Sequence, residues 1–204
     1  MLFTDTYSTI EAPVQSSFRD RGSKFVGYAF PAKNEEEVKI HLAKIKKEFH
    51  DATHHCYAYI IGPNAEAQRA NDDGEPANTA GKPIQRSIHA KGLTNILVVV
   101  VRYFGGKLLG VPGLINAYGK TAEETLREAI IIEKIVEEVH LVTFNYEEEN
   151  AAFKILKNYD AKILQIDKLE TCSIIFAIRM SNSVKLGNAL KELSSLNLKY
   201  LYVQ

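Results

Sequence analysis

The sequence is poor in several features that would each point to a class of function. Nowhere does it hold an apolar run near the ~20 residues that span a bilayer; its aliphatic stretch, Ile96 to Val101, has the length of a strand. Met1-Leu2-Phe3-Thr4-Asp5 lacks the basic start and apolar segment of a secretory signal. Cys56 and Cys172 are too few for a disulfide framework and fall in different predicted domains. Two buried free thiols in a soluble, cytoplasmic protein are therefore expected. Net charge is missing too: 25 basic residues balance 25 acidic ones, with 17 against 16 in residues 1–135 and 8 against 9 in 136–204. Without a polycationic segment, contact with nucleic acid needs a local patch. Internal repeats and low-complexity tracts are also absent.

What remains is an ordinary globular mixture, 46% apolar and 25% charged, in a 204-residue chain that suits two domains. The pattern predicts an α+β protein with domains at 1–135 and 136–204. In the second, Val136–Tyr146, Ala161–Asp167, Cys172–Met180 and Leu198–Val203 read as strands. Glu147–Tyr159 and Ser183–Leu193 read as helices, with Ser181 to Ser183 as cap candidates for the latter. The order βαββαβ is that of the ferredoxin-like split unit, a fold that says nothing by itself about activity. In the first domain, Lys24–Phe30, Cys56–Ile61 and Ile96–Val101 read as strands. The last of these shows no alternation and so is central and covered on both faces. Asn34 and Glu37 form a capping-box pattern before a helix that runs to Phe49. Pro83 opens a short helix, a longer one covers about 113–130, and Gly62 to Pro83 is a polar, turn-rich connection.

Three segments carry candidate chemistry. Thr53-His54-His55-Cys56 enters a strand, where adjacent side chains point to opposite faces, so at most one histidine faces a given site. A histidine held by backbone or carboxylate is favoured over a metal ligand, and Cys56 within an apolar strand is inert. Asn71-Asp72-Asp73-Gly74-Glu75-Pro76 has three carboxylates around a glycine, but not the spacing of a calcium loop. A structured turn with carboxylates capping amides is preferred on composition. The third, Val101-Arg102-Tyr103-Phe104-Gly105-Gly106-Lys107, leads from a buried strand through paired glycines toward a helix. Such a turn can hold an anion, with Arg102 and Lys107 adding charge, or can simply allow close packing. No G-x-G-x-x-G is present, and Gly113 to Gly119-Lys120-Thr121 misses the P-loop spacing, so nucleotide hydrolysis by that route is rejected.

Taken in register, these segments resemble the IMPACT family in its bacterial form. The match is carried by Ser23-Lys24-Phe25, His54-His55-Cys56, Asp72-Asp73-Gly74-Glu75-Pro76, Thr79-Ala80-Gly81-Lys82-Pro83-Ile84, Val99 to Gly106, Leu109-Gly110, Gly113-Leu114 and Ala117-Tyr118. One departure is Val111-Pro112, where the family pattern leads one to expect small residues; Pro112 removes an amide from any anion cradle there. The resemblance implies a first domain similar to the second domain of a small-subunit ribosomal protein. It also implies a ferredoxin-like second domain similar to one in elongation factor G. Eukaryotic members act in translational control through a partner of an initiation-factor kinase. They use an additional domain not matched here, so that partner is not carried over. The expectation is a non-enzymatic, translation-associated regulator that binds RNA or the ribosome, with no cofactor, metal or membrane. Phosphate contacts are expected from Arg102, Gly105, Gly106, Lys107 and Lys120, with base stacking on Tyr103 and Phe104, one of which is expected in the core. His54, His55, Asp72, Asp73, Glu75 and Thr79 form the motif cluster, and no residue is assigned as catalytic. The alternatives are a small-molecule or metal-dependent enzyme using His54, His55 and Asp72 to Glu75, or a protein-binding adaptor.

Overall fold

The aliphatic run lies in β6 (Ile96–Tyr103), the middle strand of a five-stranded sheet, where neither face meets water. Ile96, Val98 and Val100 enter one core and Leu97, Val99 and Val101 the other, all fully buried. The structure, a computed structural model, describes residues 5–203. Antiparallel to β6 run β3 (Ser23–Pro31) and β4 (His54–Ile61), with β2 (Val14–Asp20) and β5 (Ala67–Asn71) at the edges. Helices α2 (Gly81–Ala90) and α3 (Gly110–Arg127) share a core with one face, and α1 (Glu35–Glu48) shares one with the other. The capping pattern at α1 is realised: the Asn34 side chain accepts the Glu37 amide at 2.9 Å, and Glu37 reaches back to the Lys33 amide at 2.8 Å. A separate two-stranded ribbon pairs β1 (Thr6–Ile10) with β7 (Ile131–Ile135).

Backbone contacts divide the chain into two units, residues 7–134 and residues 135–203, the latter joined by Asp5 and Thr6. The first residues described thus group with the second unit rather than the first. That second unit runs β8 (Glu137–Phe144), α4 (Glu149–Asn158), β9 (Lys162–Lys168), β10 (Cys172–Arg179), α5 (Met180–Leu190) and β11 (Asn197–Val203). Its sheet has the order β11-β8-β10-β9 with every pairing antiparallel, which is the ferredoxin-like arrangement. Phe144, Leu156, Phe176, Leu186 and Leu190 form its core.

The differences from the sequence pattern fall where that pattern is weak. β1, β2, β5 and β7 have no counterpart among the predicted strands. The two edge strands are held by backbone pairing to buried neighbours rather than by apolar alternation of their own. Arg21 and Gly22, both at positive φ, turn β2 into β3 as a two-residue hairpin. The expected long connection between Gly62 and Pro83 therefore contains β5, and α2 begins ahead of the proline. Helix α3 starts at Gly110, which puts Pro112 in its first turn, where the missing amide has no intrahelical partner to lose. Helix α5 begins at Met180 without a side-chain cap, so Ser181 to Ser183 lie inside it; the Ser183 hydroxyl instead meets Glu138 and His140. Among the described residues no helix is long and apolar enough to cross a membrane.

Candidate functional site

The sheet register fixes the centre of the site. His54 on β4 stands opposite Arg102 on β6, and Arg102 stands opposite Phe25 on β3. All three share the face that α2 and α3 cover, because Phe25, Cys56 and Val100 on the same parity enter that core. Into this row the connection between β5 and α2 inserts Glu75, and α3 inserts Tyr118. Arg102 Nη1 donates to Glu75 Oε1 at 2.5 Å, and the Tyr118 hydroxyl donates to the same oxygen at 2.7 Å. His54 Nε2 lies 3.8 Å from it. Both members of the ion pair are almost wholly buried, with side-chain exposures of 6% and 4%. Such a pair is held by geometry and further hydrogen bonds, since Coulomb attraction alone barely offsets the loss of hydration. Arg102 Nη2 approaches the Ser23 hydroxyl at 3.4 Å, and the guanidinium lies 5.5 Å from the rings of Phe25 and Phe104. Its Nε–H has no partner among the described residues.

The acidic turn is built as a cap. Asp72 Oδ1 accepts the amides of Ala80 and Gly81 at 3.0 and 2.8 Å, and Oδ2 accepts that of Asn78 at 2.8 Å. The first amides of α2 are thus satisfied by a carboxylate from the end of β5, where the helix dipole also favours negative charge. Asp73 Oδ2 accepts the His55 amide at 2.7 Å, and the Asp73 carbonyl meets His54 Nδ1 at 2.8 Å. A carbonyl only accepts, so the ring proton of His54 sits on Nδ1 and Nε2 is left toward Glu75. His55, on the opposite face, is buried against the Phe49 carbonyl at 2.9 Å. Thr79 is buried too and donates to the Pro76 carbonyl at 2.7 Å. Burial pushes the Cys56 thiol well above its ordinary range, and the thiol donates to the Asp72 carbonyl at 3.0 Å. Burial likewise raises the Tyr118 hydroxyl. Among the described residues no group of three or more His, Cys, Asp or Glu side chains is placed to hold a metal ion.

The glycine turn differs from the expected phosphate cradle. Gly105 lies against the β2–β3 turn: a Cβ on it would fall 1.9 Å from the Gly22 carbonyl carbon, and its amide donates to the Ser23 hydroxyl at 3.2 Å. Its lack of a side chain allows this close chain-to-chain packing. Gly106 supplies positive φ, with open space around it. Arg102, expected as a surface phosphate contact, is instead internal and paired; Lys107 and Lys120 are exposed. Tyr103 is half-buried and donates to Asp51 at 2.9 Å, so the ring left open is that of Phe104, 47% exposed. Ser23 and Tyr118 also belong to the network, although the sequence alone gave neither a role. The signal for both was their place within the matched motifs.

A cleft of about 350 Å³ ends on His54, Glu75 and Arg102. Leu109 and Leu114 wall it, and Phe104, Leu108 and Val111 stand exposed around it. A second, wider groove of about 840 Å³ runs between α2 and α3, lined by Arg86, Lys91, Lys120 and Arg127 with Glu123 and Glu124.

Comparison with known proteins is consistent along the chain. Residues 21–126 match the Impact N-terminal domain. IMPACT family member YvyE of Bacillus subtilis is 40% identical over 129 residues, 63% of this chain and 59% of that protein. The match thus spans about three fifths of the Bacillus relative. IMPACT family member YigZ of Escherichia coli is 34% identical over 158 residues, 76% of this chain and 78% of that protein. A crystal structure described as that of a hypothetical protein superposes with a TM-score of 0.77 at 29% identity, covering 98% of this chain and 99% of the other.

Proposed function

The chain belongs to the IMPACT family, and from that premise we propose that it is a translation-associated binding protein that engages RNA or the ribosome through residues 7–134. One observation carries the reading: the motif's reactive-looking groups bond to one another or to backbone, while cations on the same unit stay open. Both oxygens of Asp72 hold amides, Glu75 holds Arg102 and Tyr118, and the Cys56 thiol is suppressed by burial. The motif on this reading is a scaffold that fixes α2 and α3. Between those helices Arg86, Lys91 and Lys120 are exposed and none is in an ion pair with a described carboxylate, whereas Arg127 is held by Glu123. Lys120 Nζ also lies 4.6 Å over the Phe18 ring, which keeps its charge beside the groove. A local patch of this kind supplies phosphate contacts that a chain of zero net charge lacks globally.

The test is binding of a fluorescent single-stranded RNA across a salt series, alongside co-sedimentation with ribosomes with and without RNase. Replacing Arg86, Lys91 and Lys120 together with alanine weakens binding and flattens the salt slope by about 0.7 for each phosphate no longer neutralised. An unchanged slope removes the groove from the function, and no RNA-dependent association at low salt removes the reading itself.

A further inference from the structure

We propose that the cleft ending on His54, Glu75 and Arg102 receives one unstacked base of a single-stranded RNA, which makes it a base-reading site in addition to the phosphate-binding groove. The inference rests on the RNA-binding reading and adds what that reading leaves out, a place where base rather than backbone is contacted.

Three observations converge. The first is unmet polarity at the closed end. Arg102 is 5% exposed, yet its Nε–H has no partner among the described residues. A buried donor without an acceptor among protein atoms is costly, and an acceptor entering the cleft relieves that cost. Beside it, the hydrogen bonds that Glu75 accepts from Arg102 and Tyr118 both fall on Oε1, which leaves Oε2 to accept, and His54 presents Nε2. An edge that offers a donor next to an acceptor therefore complements this end, and every nucleobase has such an edge.

The second is the apolar surround. Phe104, Leu108 and Val111 are 47%, 83% and 52% exposed around a cleft whose walls are Leu109 and Leu114. A base has two apolar faces and stacks on aromatic rings whatever its identity. The Phe104 ring lies 5.5 Å from the Arg102 guanidinium. The backbone of Phe104 is held by Thr53 and by the packing of Gly105 on the β2–β3 turn, and its half-exposed ring offers a fixed face on which an incoming base stacks. The third is charge at the rim. Lys107 is exposed, forms no ion pair with a described carboxylate, and adjoins Leu108, in position for the phosphate of the inserted nucleotide. An apolar peptide side chain would satisfy the walls but leave the Arg102 donor and Glu75 Oε2 unmet, which is why a base is favoured.

The experiment compares fluorescence anisotropy of a single-stranded RNA octamer with that of the same octamer carrying abasic sites throughout, using the full chain. The intact RNA is expected to bind at least about tenfold more tightly than the abasic one. Phe104→Ala, at an exposed position, removes most of that difference and leaves abasic binding as it was. The triple substitution Arg86→Ala, Lys91→Ala and Lys120→Ala weakens both RNAs alike. Equal affinity for intact and abasic RNA overturns the base site while leaving the phosphate groove standing; binding of neither RNA overturns the underlying reading as well. Self-association that Leu108→Asp abolishes, with intact and abasic RNA bound equally, assigns the cleft to a second copy of the chain and likewise overturns the base site.

Discussion

Arg102 is the residue on which the site turns, and its environment was set by residues distant in sequence. A guanidinium in water binds phosphate readily; the same group enclosed by Phe25, Phe104 and Glu75 is part of the interior. Its burial makes Glu75 the most sensitive carboxylate of the motif. Glu75→Gln keeps the shape and removes the charge, leaving Arg102 as an uncompensated buried cation. The expected loss is about 3–5 kcal/mol, read as a lowered urea midpoint at unchanged slope. A midpoint equal to that of the parent protein would mean that Arg102 is neutralised by some other group.

Among the elements, the meeting of the β2–β3 hairpin with the end of β6 is the tightest approach near the site. Gly105 and Gly106 are adjacent, yet they serve different needs, and alanine separates them. At Gly105 the added methyl meets Gly22 and Ser23 backbone, so one of two strand ends has to move. The expected cost is about 3 kcal/mol or more, as for overpacking against atoms that cannot rotate away. At Gly106 the methyl finds room, and only the positive φ of 81° is penalised, by about 1–2 kcal/mol. Thermal denaturation of the two variants gives the order directly; Gly106→Ala as the more damaging change would contradict the packing account. The Asp72 cap works on the same scale, joining the end of β5 to the start of α2 across the acidic turn.

Over the whole molecule, Asp5 is held within the second unit by a residue distant in sequence. Asp5 binds Arg179 through two hydrogen bonds of 2.6 and 2.8 Å, across 174 residues of sequence. Arg179 foremost, with Ser181, holds the Asp5 carboxyl well below the usual carboxylate range, against the opposing effect of burial. A carboxylate lowered in the folded state contributes stability that is present above its unfolded pKa, near 4, and lost as the pH falls below it. Asp5→Asn is therefore less stable than the parent at pH 7, and the gap between them narrows on acidification toward pH 2. Chemical denaturation at the two pH values measures this, and a gap independent of pH would show that the pair contributes nothing through its charge.

What the sequence determined by itself is what short-range physics writes into neighbouring residues. An aliphatic run without alternation places β6 between two cores. The Asn34 and Glu37 pair starts α1, and apolar spacing orders the second unit as βαββαβ. Carboxylates flanking a glycine form a turn that caps amides, and a cysteine in an apolar strand is buried. The edge strands β2 and β5 were not legible, because their polar residues gain order from a neighbour's backbone and carry no periodicity of their own. Nor were the partners of Arg102: Glu75 lies 27 residues away, and Tyr118 is 43 from Glu75. Strand register and the placement of α3 bring them to one oxygen. Whether a charged side chain faces water or an ion pair depends on what the fold sets opposite it, and only the tertiary structure decided that.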